Sequence, residues 1–515
     1  MNYYFTEEHN LFREGLRQFL DKEVMPNIDQ WEEDQRIPKD LWKKFGDMGY
    51  MGLNYPEEYG GMNADFFYSV IFCEEVCKCF SGGFAVAPMV MQFMATPYIF
   101  QHGSEFLKQK YLVPSIAGEA VSSIAISEPG AGSDVANIKT KAIREEDHYI
   151  VNGSKTFITN GVYGDYLIMV VKTNPDAGVG GISLLIIDRD APGVSATKLK
   201  KLGWHASDTA ELAFDNVKVP VENLIGEEGQ GFYYLMGGLQ VERLTGAIGA
   251  VAGAESALDY ALDYMAQREA FGRPINRFQV LRHRVADLAT EIEATRYFVY
   301  HLCRVHNDGL YAVKECSMAK LKATELSDRA MTECLQFFGG YGFMEEYKIA
   351  RMFRDSRVLT IGGGSSEIMR EIIAKMVIDD KNYNRANKQL RATQIPASNG
   401  HASKPTASQK VIVNPELITL SSITLLIKKR SEGVDPIGAT LKFAFDEGSI
   451  FVDGVGDKND ISNSDEGAQC TIATTLVDFS AILRGKLDPM SAFMQGKFKV
   501  EGDMSLAMKL PQLFR

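Results

Sequence analysis

The residue best suited to acid–base chemistry is a glutamate in a stripe of glycines, Glu242 in the segment LQVERLTGAIGAVAG. On a helix of 3.6 residues per turn, Gly238, Glu242, Gly246 and Gly249 share one face. Because glycines leave space beside the carboxylate, Glu242 could accept a proton from a ligand lying there. Alternatively, the small residues allow close helix packing and Glu242 pairs with a buried arginine. The residues alone leave both interpretations open.

Two earlier segments could bind a flat or phosphorylated ligand. The loop AISEPGAGSDVAN (125–137) could hold a phosphate or a heteroaromatic ring through N–H groups and hydroxyls, or could be an ordinary turn. In KTFITNG (155–161), side chains two positions apart point to the same face of a strand, so Phe157 and Thr159 lie side by side. An aromatic ring beside a hydroxyl suits a flat ligand, and it suits a half-buried strand equally well.

Arginines beside glycine turns occur in two later segments. QREAFGRPINRFQ (267–279) contains Arg268, and QFFGGYGFMEEYKIARMFRD (336–355) contains Gly339 and Gly340. Glycine allows a ligand to approach the backbone closely, and arginine binds pyrophosphate well. Structural ion pairs are the alternative interpretation of these arginines.

A third glycine-rich segment, LTIGGGSSEIMREII (359–373), is not a triphosphate loop. It lacks the Gly-Lys-Ser/Thr of a P-loop and the spacing of a dinucleotide fingerprint. Ser365 or Ser366 could cap the helix that follows.

Composition limits the classes of function. A chain of 515 residues predicts two or more domains, and a net charge of −12 with a pI near 5.3 argues against nucleic-acid binding. Cys73, Cys77 and Cys79 lie on a helical pattern without a matching histidine, and the eight histidines are scattered. We therefore expect buried free thiols and no metal site.

The pattern of apolar residues predicts a multidomain protein. Apolar residues recur at helical spacing over residues 1–120, the period changes to that of strands over 121–229, and helical spacing returns over 230–385. Residues 386–410, rich in Ala, Ser, Asn and Pro, predict a flexible linker. Residues 411–515 alternate again and predict a small α+β domain.

The sequence predicts a protein of the cytoplasm that does not cross a membrane. The N-terminus has no signal or transit pattern, and the final LPQLFR lacks a peroxisomal signal. The least charged region, Cys79–Ser104, contains Pro88, Pro97 and polar residues, so we expect buried helices there.

The chemistry-bearing segments together resemble the acyl-CoA dehydrogenase family over residues 1 to about 385, in the family's own order. The agreement extends to LGWHASDTAEL and NLIGEEGQGFYYLM and is strongest with the long-chain branch. The resemblance implies a helical, β-barrel, helical fold in a homodimer or homotetramer. It implies FAD bound between the β domain and the second helical domain. It also implies α,β-dehydrogenation of acyl-CoA to trans-2-enoyl-CoA, with electrons passing to an electron-transferring flavoprotein.

The resemblance also implies roles for individual residues. Ser127 and Ser133 would contact the flavin and the CoA moiety. Phe157 would replace the family's usual tryptophan against the isoalloxazine, and Thr159 would hydrogen-bond near flavin N5. The ADP half of FAD would be bound across the dimer by Arg268, Phe271, Gln279, Gln336, Gly339 and Gly340. Ser365 and Glu367 would also touch FAD, and acyl-CoA would lie near Ser133, Gln240, Arg243 and Gly363.

The catalytic base of the commonest family pattern is absent. That pattern carries a Tyr-Glu-Gly-Thr segment before the last helix, and here Gly362 and Gly363 stand in the tyrosine and glutamate positions. A branch that includes the long-chain and isovaleryl enzymes takes its base from the helix that holds Glu242. The resemblance therefore implies that Glu242 is the base and that the three glycines mark a vacated base site.

The C-terminal domain resembles the sterol carrier protein type 2 family, through AQCTIATTLVDFSAILRGKLDPMSAFMQGKFKVEGDMSLAMKL (468–510). The resemblance implies a five-stranded sheet and helices around an apolar tunnel for acyl chains, acyl-CoA or sterols. Such a domain could present poorly soluble substrates to the dehydrogenase. An acyl-CoA oxidase, or a lipid-binding scaffold with a non-catalytic dehydrogenase domain, remains an alternative.

Overall fold

The computed structural model divides into two units, 1–396 and 397–515. The predicted linker, 386–410, lies outside the described residues. The structure describes residues 3–310, 312–378, 436–445, 448–483 and 499–502, with single positions 423, 424, 427, 428, 431 and 506.

The first domain is helical. Its helix α1 begins after Thr6, whose hydroxyl accepts a hydrogen bond from the His9 backbone N–H, so the sequence caps its own first turn. The carboxylate of Asp65 caps α4 in the same way, through the Phe67 N–H. The helices are α1 (Glu7–Glu23), α2 (Ile28–Asp34), α3 (Lys39–Asp47), α4 (Phe66–Cys77), α5 (Gly82–Met89), α6 (Thr96–His102), α7 (Glu105–Leu107) and α8 (Val113–Ile116).

The helical stretch Gly82–His102, which includes α5 and α6, is long and apolar enough to cross a membrane by length and composition. However, 78% of its most apolar window is buried inside the protein, which is the setting of a core helix. Pro88 interrupts α5, and a π-helical stretch, Val90–Ala95, follows it. The buried helices expected in this region are confirmed.

The middle domain is a sheet of eight strands. Its order is β6-β7-β3-β2-β4-β5-β8, with β1 beside β4, so β6 and β8 are its two ends and its ladder stays open between them. Strands β5 and β7 nevertheless contribute to one core, because the sheet folds back on itself. The strands are β1 (Ser122–Ala125), β2 (Lys141–Glu145), β3 (His148–Thr159), β4 (Tyr166–Lys172), β5 (Ile182–Asp188), β6 (Val194–Lys198), β7 (Thr209–Pro220) and β8 (Leu224–Ile225).

Strand β4 explains why the apolar run DYLIMVVKT does not alternate with polar residues. Leu167 and Met169 face the core inside the folded sheet. Ile168 and Val170 point to the opposite face and pack in a cluster with residues of α6–α8. Because both faces are covered, both sets of side chains are apolar.

The third domain is a helical bundle around the long helix α9. Helix α9 packs against α10, α11 and α4, and its alanines and glycines allow the close approach. A short hairpin of β9 (Glu269–Ala270) and β10 (Arg273–Pro274) connects it to α10. The helices are α9 (Gly231–Gln267), α10 (Gln279–Asn307), α11 (Val313–Phe337), α12 (Lys348–Ser356) and α13, over 366–378.

One buried carboxylate joins the three domains of the first unit. Asp355, near the end of α12, accepts hydrogen bonds from the backbone N–H of Trp204 at 2.6 Å and of Gly82 at 2.9 Å. Trp204 belongs to the loop before β7, and Gly82 begins α5. Burial, and the nearby charge of Glu32, raise the pKa of Asp355 to about 6.

The second unit contains the predicted small α+β domain. Its five strands have the order β13-β12-β11-β14-β15, and the rings of Phe443 and Phe479 lie 4.5 Å apart where α14 covers the sheet. The five-stranded sheet expected there is confirmed, whereas an apolar tunnel stays a prediction. The elements are β11 (Thr440–Phe445), β12 (Gly448–Asp453), β13 (Asp460–Ser462), β14 (Cys470–Ala473), α14 (Leu476–Leu483) and β15 (Lys499–Gly502).

Candidate active site

Glu242 is a buried carboxylate with a near-neutral pKa. It lies in the first half of α9 with 9% of its surface exposed. The hydroxyl of Tyr98, from α6, donates a hydrogen bond to its Oε1 at 3.2 Å. Burial raises the pKa of Glu242 to about 7, against the opposing effects of the Tyr98 hydrogen bond and the Arg243 charge. A carboxylate with this pKa is suited to remove a proton near neutral pH.

The glycines on the face of Glu242 have different surroundings: some allow close helix packing and one has open space beside it. A Cβ on Gly238 would lie 2.3 Å from the Tyr98 hydroxyl oxygen, and one on Gly249 would lie 2.9 Å from the sulfur of Cys77. These two glycines therefore permit close packing. A Cβ on Gly246 would meet no atom of the described residues within 4 Å beyond its own helical turns, so open space lies one turn from Glu242.

Arg243 is directed toward α11 and not into a direct pair with Glu242. It is buried, and its Nη1 lies 3.4 Å from the hydroxyl oxygen of Ser317. Its charge acts on Glu242 by lowering the pKa of the carboxyl. The hydrogen-bond partner of Glu242 is therefore a tyrosine, which differs from the buried arginine considered from the sequence.

The loop that contains the three consecutive glycines, residues 359–364 (the triglycine loop), is held against α11 by a buried lysine. Lys320 is 3% exposed, and its Nζ donates to the carbonyl oxygens of Leu359 at 3.0 Å and Gly364 at 2.5 Å. Burial, and then the charge of Arg243, lower the pKa of Lys320 to about 8. Lys320 belongs to α11, the helix that Arg243 faces, so one side chain holds both ends of the loop against that helix.

Two glycines of this loop adopt a backbone conformation that favours glycine, and one of them also has open space around it. Gly363 and Gly364 have φ of +64° and +92°, a region that favours glycine. Within the ranges that the structure describes, a Cβ on Gly363 would meet no atom within 4 Å. The helix after the loop begins next to Ser365, whose Oγ accepts a hydrogen bond from the Ile368 N–H at 3.4 Å.

Phe157 is an exposed aromatic side chain on an irregular strand. It is 72% exposed and has φ of +63°, where β3 carries a bulge against β7. Its neighbour Ile158 is buried, whereas Thr159 is half-buried. An aromatic ring held outward by strained backbone is a surface for a flat ligand.

The loop 125–137 is fixed to the strand that carries Phe157. The carbonyl of Ser127 accepts a hydrogen bond from Thr156 N–H at 2.9 Å. The buried Lys155 donates to the carbonyl of Ile126 at 2.9 Å. The structure therefore brings Ser127 and Phe157 into one region, while Ser133 lies exposed farther along the loop.

A second cluster forms at the other end of α9. The guanidinium of Arg268 lies 5.6 Å from the ring centre of Tyr341, in the turn that contains Gly339 and Gly340. A Cβ on either glycine would meet no atom of the described residues within 4 Å. Phe271 is 96% exposed. The exposed residues of this end of the bundle include Arg268, Phe271, Gln279, Gln336, Gly339 and Gly340.

The chain matches four family models. These are the acyl-CoA dehydrogenase N-terminal domain over residues 6–119, the middle domain over 123–217, the C-terminal domain over 229–378, and the SCP-2 sterol transfer family over 423–515. The mitochondrial long-chain specific acyl-CoA dehydrogenase of Sus scrofa is 40% identical over 382 residues, which are 73% of this chain and 88% of that protein. The chain belongs to the acyl-CoA dehydrogenase family.

Solved acyl-CoA dehydrogenases share the fold of the first unit. The enzyme from Geobacillus kaustophilus is 47% identical with a TM-score of 0.71, covering 73% of this chain and 99% of its own. A glutaryl-CoA dehydrogenase from Mycobacterium smegmatis, in complex with FADH2, is 27% identical with a TM-score of 0.69, covering 73% and 96%. This protein is therefore an oxidoreductase of the acyl-CoA dehydrogenase family with an additional SCP-2 domain.

Two other positions expected in this acyl-CoA dehydrogenase site have clear placements. Gln240 is buried, and its Oε1 accepts a hydrogen bond from the Ala312 N–H at 2.8 Å, so its amide supports the connection between α10 and α11. Glu367 is exposed on the first turn of α13. In the part of the chain that the structure describes, no group of three or more His, Cys, Asp or Glu side chains could hold a metal ion.

Sequence reasoning missed Tyr98 and Lys320. Tyr98 lies 144 positions from Glu242, and Lys320 lies 39 and 44 positions from its two carbonyl partners. A buried tyrosine and a buried lysine on apolar helix faces were the available signals, because such groups need polar partners.

We expect Lys320→Met to loosen the triglycine loop. Methionine fills a similar volume but donates no hydrogen bond to Leu359 and Gly364, so the loop amides should exchange about 10-fold faster in hydrogen exchange. Lys322→Met is the matched control, because Lys322 on the same helix is exposed and pairs with Glu291. Unchanged exchange at residues 359–364 in Lys320→Met would contradict the assignment.

Proposed function

We propose that this protein catalyses FAD-dependent α,β-dehydrogenation of acyl-CoA thioesters of medium to long, or bulky, acyl groups to trans-2-enoyl-CoA. The single observation that carries the proposal is Glu242, a buried carboxylate with a pKa of about 7 and open space at Gly246, one turn away. The long-chain relatives in the family favour an acyl substrate of this length.

In this proposal Glu242 removes the proton from the α-carbon of the acyl group. Above pH 7 the carboxylate is ionised in the free protein, and an acyl chain beside Gly246 would exclude the remaining water. Withdrawal of water strengthens the carboxylate as a base. Arg243, on the same helix, is directed to α11 and leaves the open side of Glu242 to the substrate.

The residues present fit a flavin dinucleotide. Phe157 offers an exposed ring for a flat heterocycle. The N–H of the preceding residue, Thr156, donates to the Ser127 carbonyl, and Thr159 lies two residues after Phe157 on the same strand. Arg268 and the open glycine turn at Gly339 offer a cation and a close backbone approach for a pyrophosphate group. When bound, FAD would accept the β-hydride of the acyl group.

The positions along α9 support a homo-oligomer. Glu242 lies on α9 and Arg268 directly follows the end of that helix, 26 residues later, which separates the two by about 39 Å at a rise of 1.5 Å per residue. This separation is too great for one dinucleotide to bridge the two ends. We propose that the Arg268 cluster of one subunit completes the FAD site of its partner, in a homodimer or homotetramer.

The proposed electron acceptor is an electron-transferring flavoprotein, because the relatives are named dehydrogenases. An oxidase is the second candidate, since Gly362 and Gly363 replace larger side chains and leave exposed space that could admit oxygen. An anaerobic titration with acyl-CoAs of several lengths separates these functions. Loss of flavin absorbance with slow reoxidation in air supports the dehydrogenase, fast reoxidation supports the oxidase, and no change indicates a non-catalytic scaffold.

We propose that the SCP-2 domain binds an acyl chain or another lipid and presents substrate to the dehydrogenase. Removal of residues 386–515 should then raise the KM for a long acyl-CoA about 10-fold, because the tethered domain raises the local substrate concentration. The KM for a four-carbon acyl-CoA should not change and is the internal control. Equal kinetics at both lengths would show that the domain has another role.

A further inference from the structure

Tyr98 is a buried tyrosine whose hydroxyl contacts the carboxylate proposed as the base. It is 2% exposed, and its O–H donates to Glu242 Oε1 at 3.2 Å. Burial, and then the charge of Glu242, raise the pKa of Tyr98 well above its usual value. The hydroxyl therefore keeps its proton across the physiological pH range and is a permanent donor.

Helix α9 has a notch that fits this tyrosine. A Cβ on Gly238, one turn before Glu242, would lie 2.3 Å from the Tyr98 hydroxyl oxygen and 2.8 Å from the ring carbon that carries it. Any larger residue would displace the ring from the carboxylate. This close approach gives Gly238 a reason that is independent of the space for a ligand at Gly246.

We propose that Tyr98 is a positioning residue for Glu242, holding Oε1 through its hydroxyl so that Oε2 is the oxygen that accepts the α-proton. Within the described residues, Oε2 takes part in no hydrogen bond, while Oε1 has Tyr98. A carboxylate held at one oxygen loses rotational freedom, which favours a productive orientation. The inference rests on the proposed role of Glu242 as the base.

Two groups act electrostatically on Glu242 besides its burial. They are Tyr98 from α6 and Arg243 from its own helix, and both lower the pKa of the carboxyl. Arg243 remains in place in a Tyr98 variant. Removal of the tyrosine hydroxyl should therefore raise the pKa of Glu242 and move the acidic limb of the pH profile to higher pH, because the ionised carboxylate loses a donor.

The test is the pH dependence of flavin reduction by acyl-CoA in single-turnover experiments on the full-length holoprotein. Tyr98→Phe should move the acidic limb to higher pH and lower the plateau rate roughly 10-fold. Tyr55→Phe is the matched control, because it removes a buried hydroxyl that contacts Thr96 at 2.7 Å and not Glu242. A Tyr98→Phe profile identical to that of Tyr55→Phe would overturn the proposal.

A second variant tests the notch and does not remove the hydroxyl. Gly238→Ala should displace the Tyr98 ring and reproduce the shift of the acidic limb, and a wild-type profile would contradict the proposal. Glu242→Gln in the same assay tests the role of Glu242 as the base separately from the positioning role of Tyr98. Substantial residual turnover in Glu242→Gln would refute the base assignment itself, whereas a Glu242→Gln variant slowed by about 10³-fold or more together with an unshifted Tyr98→Phe would refute only the positioning role.

Discussion

Replacing Glu242 with Gln should lower the rate of flavin reduction by acyl-CoA by about 10³-fold or more, while the protein stays folded and yellow. Glutamine has nearly the same shape and can still accept the Tyr98 hydrogen bond, but its amide cannot take the α-proton. Proton abstraction by a positioned group contributes about 10²–10⁴-fold to a rate. The measurement is stopped-flow absorbance of the flavin after anaerobic mixing with acyl-CoA.

The pH dependence of the wild-type rate follows from the raised pKa of Glu242. The base must be ionised, so kcat/KM should rise as the pH increases through about 7 and level off above it. This acidic limb should be absent from any residual activity of the variant.

The control for this experiment is the same substitution elsewhere on α9. Glu255 is partly exposed and pairs with Arg296 at 2.6 Å. In the Glu255→Gln variant, acyl-CoA should therefore reduce the flavin at close to the wild-type rate. Substantial residual turnover in Glu242→Gln would refute the base assignment. The other carboxylates of the region would then need to be tested in turn.

Replacing Asp355 with Ala should lower the free energy of unfolding by about 3 kcal/mol. The change leaves the backbone N–H groups of Trp204 and Gly82 buried without their acceptor, and it removes the side chain that joins three domains. A Cβ on the adjacent Gly203 would lie 2.5 Å from the carboxylate, so the surroundings are closely fitted to it. The measurement is the midpoint of thermal unfolding of the holoprotein.

An exposed carboxylate of α2 that pairs with a residue of α12 provides the comparison. Asp29 pairs with Arg351 at 2.8 Å and is largely exposed, so Asp29→Ala should cost less than about 1 kcal/mol. A midpoint for Asp355→Ala equal to that of Asp29→Ala would show that Asp355 does not hold the domains together.

The change from helices to strands and back was readable from the sequence, because the apolar period depends on which face of an element is buried. Strand β4 shows how far the apolar pattern can predict the packing. Its run of apolar residues indicates burial on both faces, but the sequence does not say that one face meets the folded sheet and the other the cluster with α6–α8.

The family, and Glu242 as the candidate base, also follow from sequence, since motifs in a fixed order and a glycine stripe at helical spacing are local features. The stripe alone could not separate ligand space from helix packing. Near Glu242 the structure has both close packing and open space: Tyr98 fills the notch at Gly238, and no atom of another described element lies near a Cβ on Gly246.

The partners of the site were decided only by the tertiary structure. Periodicity shows that Tyr98 and Lys320 lie on covered helix faces, but it does not show what covers them. Their partners, Glu242 and the carbonyls at both ends of the triglycine loop, come from other elements. The sequence by itself therefore determined the elements, the family and the candidate base. Only the packing of α6, α9 and α11 determined how that base is oriented and how the loop is held, because both depend on contacts between distant parts of the chain.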